Sequence, residues 1–446
     1  MAERLMRRAL SFDNSPPLSV PFRFFLNVPV FAALAGLLLL WAGPQALESR
    51  WTPSALALTH LMTLGVLASA MVGALIQILP VATGISVLAP RLASTFVHPL
   101  LIVGTLFLAA AFLFMRPILF QLALYALLAA FLWLAGATLG GSWRHRAMAQ
   151  KGSNDVLLST RLVVGALLAT LLSGGLLAVG FAWSLPLPMI LLTNIHAAWG
   201  LLGWIGLLLM GMAFQLIPIF QATEVYPRAI TRWLATLSFV MLILHTSAAL
   251  LGGNNHLAER ILGALLLSLY FVFALQTFYL LWTRKRPKAD ATTLFWRTAM
   301  VCLATCPPVW LAGLATGTEF PVTLGVLFIA GFAWSAVNGM LYKIIPFLLW
   351  YHAQKNLVTA LRIVPKVKDI IPDARATSQF RLHVLALALL LSASIWPPLF
   401  THAAAIAFTA SAATLGWNIA AATRLYWNAQ KQIQDAAPSL PISSQP

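Results

Sequence analysis

The feature that most limits what this chain can fold into is a succession of apolar runs, each long enough to cross a bilayer. Twelve such runs begin near Phe22, Ala55, Leu92, Pro117, Leu158, Met189, Thr231, Glu259, Thr293, Phe320, Arg381 and Thr401. A hydrocarbon layer about 30 Å thick takes roughly 20 apolar residues in a helix, a structure that satisfies its own backbone groups without water. With 60% hydrophobic and only 9% charged residues, the chain has little left over for a soluble domain. The expected fold is therefore all-α: residues 1–446 form a single integral membrane domain of twelve transmembrane helices, with the lipid bilayer as its first partner.

A formal net charge of +17 raises nucleic acid as a partner, and the positions of the basic residues exclude it. If the spans alternate from a cytoplasmic N-terminus, only Arg50, Arg116 and Arg260 of the 28 basic residues fall on the outer side. The inner loops hold the rest, including Arg144, Arg146 and Lys151, then Arg284 to Lys288, then Lys355 to Arg381. That bias sets orientation by the positive-inside rule and places both termini in the cytoplasm. The stretch 353–379 reads as a basic cytoplasmic loop, and the polar, Pro-rich residues 429–446 as a flexible cytoplasmic tail. The opening MAERLMRRALSFDNSPP lacks the apolar core and cleavage site of a signal peptide.

One phrase occurs three times, as GALIQILPV from Gly73, GMAFQLIPI from Gly211 and GMLYKIIPF from Gly339. Aligned on Pro80, Pro218 and Pro346, each copy has a glycine seven residues earlier and another fifteen earlier (Gly65, Gly203, Gly331). Each interval between copies contains four spans, so successive copies enter the membrane in the same direction. The reading is a parallel threefold repeat, with units of approximately 20–145, 155–285 and 292–428, rather than the inverted repeat common in transporters. The glycines suit close helix packing. Gln77, Gln215 and Lys343 share one repeat position near the inner ends of helices 2, 6 and 10, where they are candidates for a polar ring lining the inner mouth of a pore or for interface anchors.

The histidines separate by depth. His60, His196 and His245 lie on helices 2, 6 and 7 at about 8 to 10 Å below the outer surface, from a rise of about 1.5 Å per residue. Imidazole in hydrocarbon needs partners for its ring nitrogens, and few buried carboxylates exist to supply them. Three at one depth point to cofactor ligation, since imidazole suits iron and copper. His98 is a weaker candidate because Pro99 follows it, and Met62 is a candidate soft ligand. His256 and His402 read as surface residues, and His145, His352 and His383 as residues of the inner interface. Cys302 and Cys306 read as small, reduced core residues.

Twelve helices in three four-helix arcs, marked by helices 2, 6 and 10, resemble subunit I of the haem-copper oxidases, in which histidines on helices 2, 6, 7 and 10 are the ligands. The resemblance matches His60 to a haem ligand and His196 and His245 to copper ligands. Helix 7 has Thr246 beside His245, and helix 10 has no histidine, so a complete oxygen-reducing centre is not expected. The segments PFRFF at Pro21, THLMTLG at Thr59 and ATG at Ala82 are similar to the NnrS family of haem- and copper-containing membrane proteins linked to nitric oxide metabolism. Leu58 and Leu61 stand where that family has His and Glu. The resemblance implies a protein of the bacterial inner membrane that binds haem, with copper as a second cofactor, and that has an oxidoreductase-like or respiratory role with a separate respiratory-chain protein as electron donor. A small-molecule or metal permease, or a non-catalytic accessory subunit, are the alternatives. The shortage of intramembrane carboxylates disfavours a proton-coupled carrier.

Overall fold

The computed structural model describes residues 14–149, 153–252, 256–354 and 363–436. Arg4, Arg7, Arg8, Lys151, Lys355 and Arg362, counted above on the inner side, lie outside these residues, as does 437–446. Among the described residues the chain is all-helical, and twelve helices are long and apolar enough to span a membrane. They are α1 (Ser19–Ala42), α2 (Pro53–Thr83), α3 (Pro90–Phe114), α4 (Pro117–Arg144), α5 (Asn154–Trp183) and α6 (Met189–Gln221). The chain continues with α7 (Arg228–Leu251), α8 (Leu257–Trp282), α9 (Ala291–Thr316), α10 (Pro321–Ala353), α11 (Asp373–Ala393) and α12 (Pro397–Asp435).

Nine helices form a closed ring and three fill it. Around the ring α1 packs on α3, α3 on α4, α4 on α5, α5 on α7, α7 on α8, α8 on α9, α9 on α11, α11 on α12, and α12 back on α1. Helices α2, α6 and α10 are the three most buried and pack on α1, α5 and α9 respectively. The recurrent glycines explain that approach. A side chain at Gly65 would run into Phe31 of α1, one at Gly203 into Ala166 of α5, and one at Gly331 into Cys302 of α9. Cys302 and Cys306 are buried and free, in keeping with small residues that fit against a glycine.

Each inner helix also carries a π-helical segment, a rare form that widens the turn and is frequent at functional sites. The segments are Leu61–Ala68, Ala198–Gly206 and Val326–Trp334. All three end twelve residues before the recurrent proline. They meet at the centre of the bundle, where the α10 segment touches those of α2 and α6. The prolines lie inside the helices and do not terminate them.

Two boundaries differ from the sequence reading. Helix α11 starts at Asp373 and is preceded by a short helix, Val367–Ile370, so the far part of 353–379 is helical rather than loop. Helix α12 runs on through residues 429–436, so the proposed tail is helical there. In both places a polar helix end projects beyond the apolar stretch that hydropathy detects.

Candidate metal centre between two histidines

His60 and His196 each stand seven residues into a helix, counting from Pro53 in α2 and Met189 in α6, and each lies within two residues of the π segment that follows. Thr52 caps α2 by accepting a hydrogen bond from Ala55 N at 3.2 Å, and Pro53 fills the first turn, where no amide donor is needed. The two helices thus bring their histidines to the same depth.

The rings meet. Their centroids are 6.2 Å apart and their planes are 17° from parallel. His60 Nδ1 is 2.8 Å from the carbonyl of Leu56, one turn back on its own helix. His196 Nδ1 is 3.1 Å from the carbonyl of Thr170 on α5 and 3.4 Å from Ser173 Oγ. A carbonyl only accepts, so Nδ1 carries the proton in both rings and Nε2 keeps its lone pair. This is the arrangement that prepares an imidazole for a metal, with one nitrogen anchored and the other free to donate.

Small and aromatic residues hold the rings. Gly174 on α5 leaves room for His196, since a Cβ there would sit 2.6 Å from His196 Cε1. Phe112 of α3 stacks on His60 with centroids 5.2 Å apart, and it belongs to a cluster with Phe120 of α4 and Phe181 of α5. Arg50, between α1 and α2, donates to Asn194 Oδ1 at 3.0 Å and stacks 4.4 Å above Trp51. Burial lowers the Arg50 pKa from its ordinary value, partly offset by Glu319.

Beside the pair lies an apolar cavity of about 160 Å³, walled by residues of α1, α2, α10, α11 and α12. Thr59 and Met62, which flank His60, line it together with Arg50. Met62 therefore faces this cavity.

The remaining candidates go elsewhere. His245 lies against α8, where Gly263 makes space for its ring, and its Nδ1 is buried without a partner among the described residues. The α7 residue facing α6 is its neighbour Thr246, which accepts from Trp199 Nε1 at 2.9 Å. His98 is engaged between helices, with Nε2 3.2 Å from both the Arg23 carbonyl and Asn27 Oδ1 of α1. Gln77 donates to Ser15 at 2.6 Å, Gln215 borders a small cavity between α2, α5 and α6, and Lys343 pairs with Asp290 at 2.7 Å. No contact joins these three among the described residues.

His383 is a correction to the sequence reading, which put it at the interface. It is 1% exposed, enclosed by α9, α10 and α11, with Nε2 2.7 Å from Ser335 Oγ. The early start of α11 carries it ten residues into the helix. Sequence reasoning also passed over Thr170, Ser173 and Gly174 on α5. The Ser173-Gly174-Gly175 run was the signal, because small residues side by side in an apolar span mark a close approach.

Among the described residues no third histidine, cysteine or carboxylate joins His60 and His196. Two protein donors leave most of a metal's coordination sphere to another group. Haem would meet that need, since His60 and His196 would hold its iron and the macrocycle would supply the other donors. Two imidazoles sharing one metal at bonds of about 2.0 to 2.1 Å have centroids roughly 6 Å apart, and the His60–His196 spacing matches that value. Comparison with family models and with curated proteins finds no match for the chain.

Proposed function

We propose that this chain is a haem-binding membrane protein of the haem-copper oxidase subunit I type, built from three parallel four-helix units, with His60 and His196 as the iron ligands. The observation that carries the reading is the pair of near-parallel imidazoles 6.2 Å apart, each with Nδ1 anchored to a carbonyl. The recurrence of the glycines, of the π segments and of the ring contacts every four helices supports the threefold architecture. The basic end, with Arg23, Arg284 and Lys343, is assigned to the cytoplasm of a bacterial inner membrane by the positive-inside rule.

Haem held by His60 and His196 would supply one-electron chemistry and binding of a small diatomic ligand. The protein's own part is positioning. The carbonyls of Leu56 and Thr170 fix both tautomers, Gly174 sets how far His196 reaches, and Phe112, Phe120 and Phe181 keep water from that side. The apolar cavity past Thr59 and Met62 is of the size that admits a small uncharged molecule, comparable to cavities of about 150 Å³ that take up xenon or benzene. This chemistry suits nitric oxide or a related respiratory ligand, with electrons from a separate donor. Copper at the same two nitrogens is the second reading, because the pair offers only two donors. Proton-coupled transport is the weakest, since Glu224, Glu259, Asp290, Glu319 and Asp373 all lie at helix ends or between helices.

The test is the absorption spectrum of the purified protein, oxidised and dithionite-reduced, with iron and copper analysis of the same sample. Wild type is compared with His60→Ala and His196→Ala. A haem spectrum that is lost in either variant supports the proposal, and copper without haem shifts it to the second reading. A metal-free, colourless protein from haem-replete cells rejects both.

A further inference from the structure

The third four-helix unit contains a buried polar seam that the metal pair does not use. On α10, Ser335, Asn338 and Tyr342 are spaced three and four apart and so share one face. On α11, Gln379 and His383 are four apart, and on α12, Ser411 and Asn418 are seven apart. These faces are joined rung by rung. Ser335 Oγ meets His383 Nε2 at 2.7 Å, Gln379 Nε2 donates to Ser411 Oγ at 3.0 Å, and Asn418 Nδ2 donates to Tyr342 Oη at 3.0 Å.

At about 1.5 Å rise per residue, Asn338 lies about 4.5 Å below Ser335, level with Gln379, and Tyr342 about 6 Å below that. The rungs therefore form a ladder between three helices. Its top, at His383, is about 15 Å from the first residue of α11, half the thickness of the hydrocarbon. Its foot, at Tyr342 and Asn418, lies near the basic end.

All seven residues are more than nine-tenths buried, yet their hydrogen-bonding capacity is not used up. His383 Nδ1, Gln379 Oε1 and both Asn338 side-chain atoms have no partner among the described residues. An unmatched polar atom in a lipid-embedded interior costs several kcal/mol, and four in one seam would be a heavy load on a chain this apolar. Water fits these groups, since a buried water takes two to four polar partners and the seam offers both donors and acceptors. A cation is a poorer fit because, among the described residues, no carboxylate belongs to the seam, and an anion because no lysine or arginine does.

We propose that the α10–α11–α12 seam holds a file of bound water molecules reaching from the basic end to His383. The file makes His383 a mid-membrane group in hydrogen-bonded contact with the basic face. The inference is independent of the haem reading.

X-ray radiolytic footprinting of the full-length protein in H₂¹⁸O, read by mass spectrometry, tests it. Hydroxyl radicals formed from bound water oxidise the aromatic rings beside them. Tyr342 stands on the ladder, and Phe295 packs against both Tyr342 and His383. Both are expected to take up ¹⁸O severalfold faster than Phe131 and Phe273, which are buried and pack on the rings of Trp204 and Phe214. Labelling of all four at the same low rate overturns the proposal. Asn338→Leu removes the central polar rung and is expected to bring Tyr342 and Phe295 down to the control rate. Gln379→Met, close in shape, makes the same test if Asn338→Leu does not fold. Labelling unchanged in a folded variant overturns the proposal as well, because the radicals then come from elsewhere.

Discussion

Gly174→Ala tests the histidine pair with a single methyl group. A Cβ at Gly174 would sit 2.6 Å from His196 Cε1, against 3.4 Å for an ordinary contact, so one of the two must give by about 0.8 Å. The ring cannot yield without losing its Nδ1 bond to Thr170 or changing its approach to His60. Metal–nitrogen bonds tolerate errors of only about 0.2 Å, so this displacement removes the ligand geometry. Disturbing a group that orients a ligand lowers metal affinity about 10- to 100-fold, or about 1.4 to 2.7 kcal/mol. Stability moves less, because alanine gains about 1 kcal/mol of helix propensity over glycine and offsets part of the clash. The adjacent Gly175→Ala is the control, since its nearest neighbour, Leu124 Cδ1, would be at 3.7 Å. The assay is iron-to-protein ratio and absorption spectrum, with thermal unfolding in detergent on the same preparations. Gly174→Ala is expected to lose iron and absorbance while remaining folded, and Gly175→Ala to keep both. Wild-type occupancy and spectrum in a folded Gly174→Ala protein would refute the assignment of His196 as a ligand.

Asp290 caps α9 through Thr293 and pairs with Lys343 at 2.7 Å. Burial works to raise its pKa, but Lys343 and Thr293 outweigh it and hold it below the ordinary carboxylate value. A lowered pKa gives stability that is present above about pH 4 and lost as pH falls through the folded value. Asp290→Asn is expected to cost about 2 kcal/mol at pH 7, and its deficit against wild type should shrink in unfolding measured below pH 4. Glycine tolerance should follow local space. Gly325→Ala, which meets nothing within 4 Å, should raise stability by about 1 kcal/mol. Gly141→Ala drives a methyl into the Ser86 carbonyl, in a loop pinned by the Leu88 N to Ala137 O bond, and should cost about 3 kcal/mol; thermal unfolding checks both. Finally, the double variant His196→Ala, Ala198→His puts the second imidazole in the proline register of His60. It should fail to restore iron binding, measured by metal analysis, because position 198 faces another direction.

The span count and the packing role of the glycines in helices 2, 6 and 10 were legible in the sequence, because hydropathy detects runs long enough to span and small-residue spacing reports close approach; the burial of those three helices was not, since they are no more apolar than more exposed spans such as α5. The depth of His60 and His196 was legible from hydropathy as well. What sequence could not give was direction around the helix axis. His245 matches the pair in depth, yet it turns to α8 while Thr246 takes the α6 side. The π segments that follow His60 and His196 are a backbone property that hydropathy does not report. His383 was misplaced because α11 starts at Asp373, eight residues before the exposed Arg381 near which its apolar run begins. A hydropathy window cannot see an amphipathic helix whose buried face is polar.

His60 and His196 meet although they stand two residues apart in the proline register. In a ring of equivalent helices each contact is heterologous, so one helix presents one face to its neighbour and receives it on a different face. Residues at equal repeat positions then meet only where they face the common centre, as the three π segments do. A pair away from that centre takes two different positions, and His60 at twenty residues before its proline and His196 at twenty-two before its own occupy two such positions. On α10 the same two positions are Val326 and Leu324, so the third unit adds no ligand. Its polar residues lie lower, at Ser335, Asn338 and His383, on the side away from the pair. The glycines, π segments and prolines recur on α2, α6 and α10, and the polar groups occupy different faces of those helices.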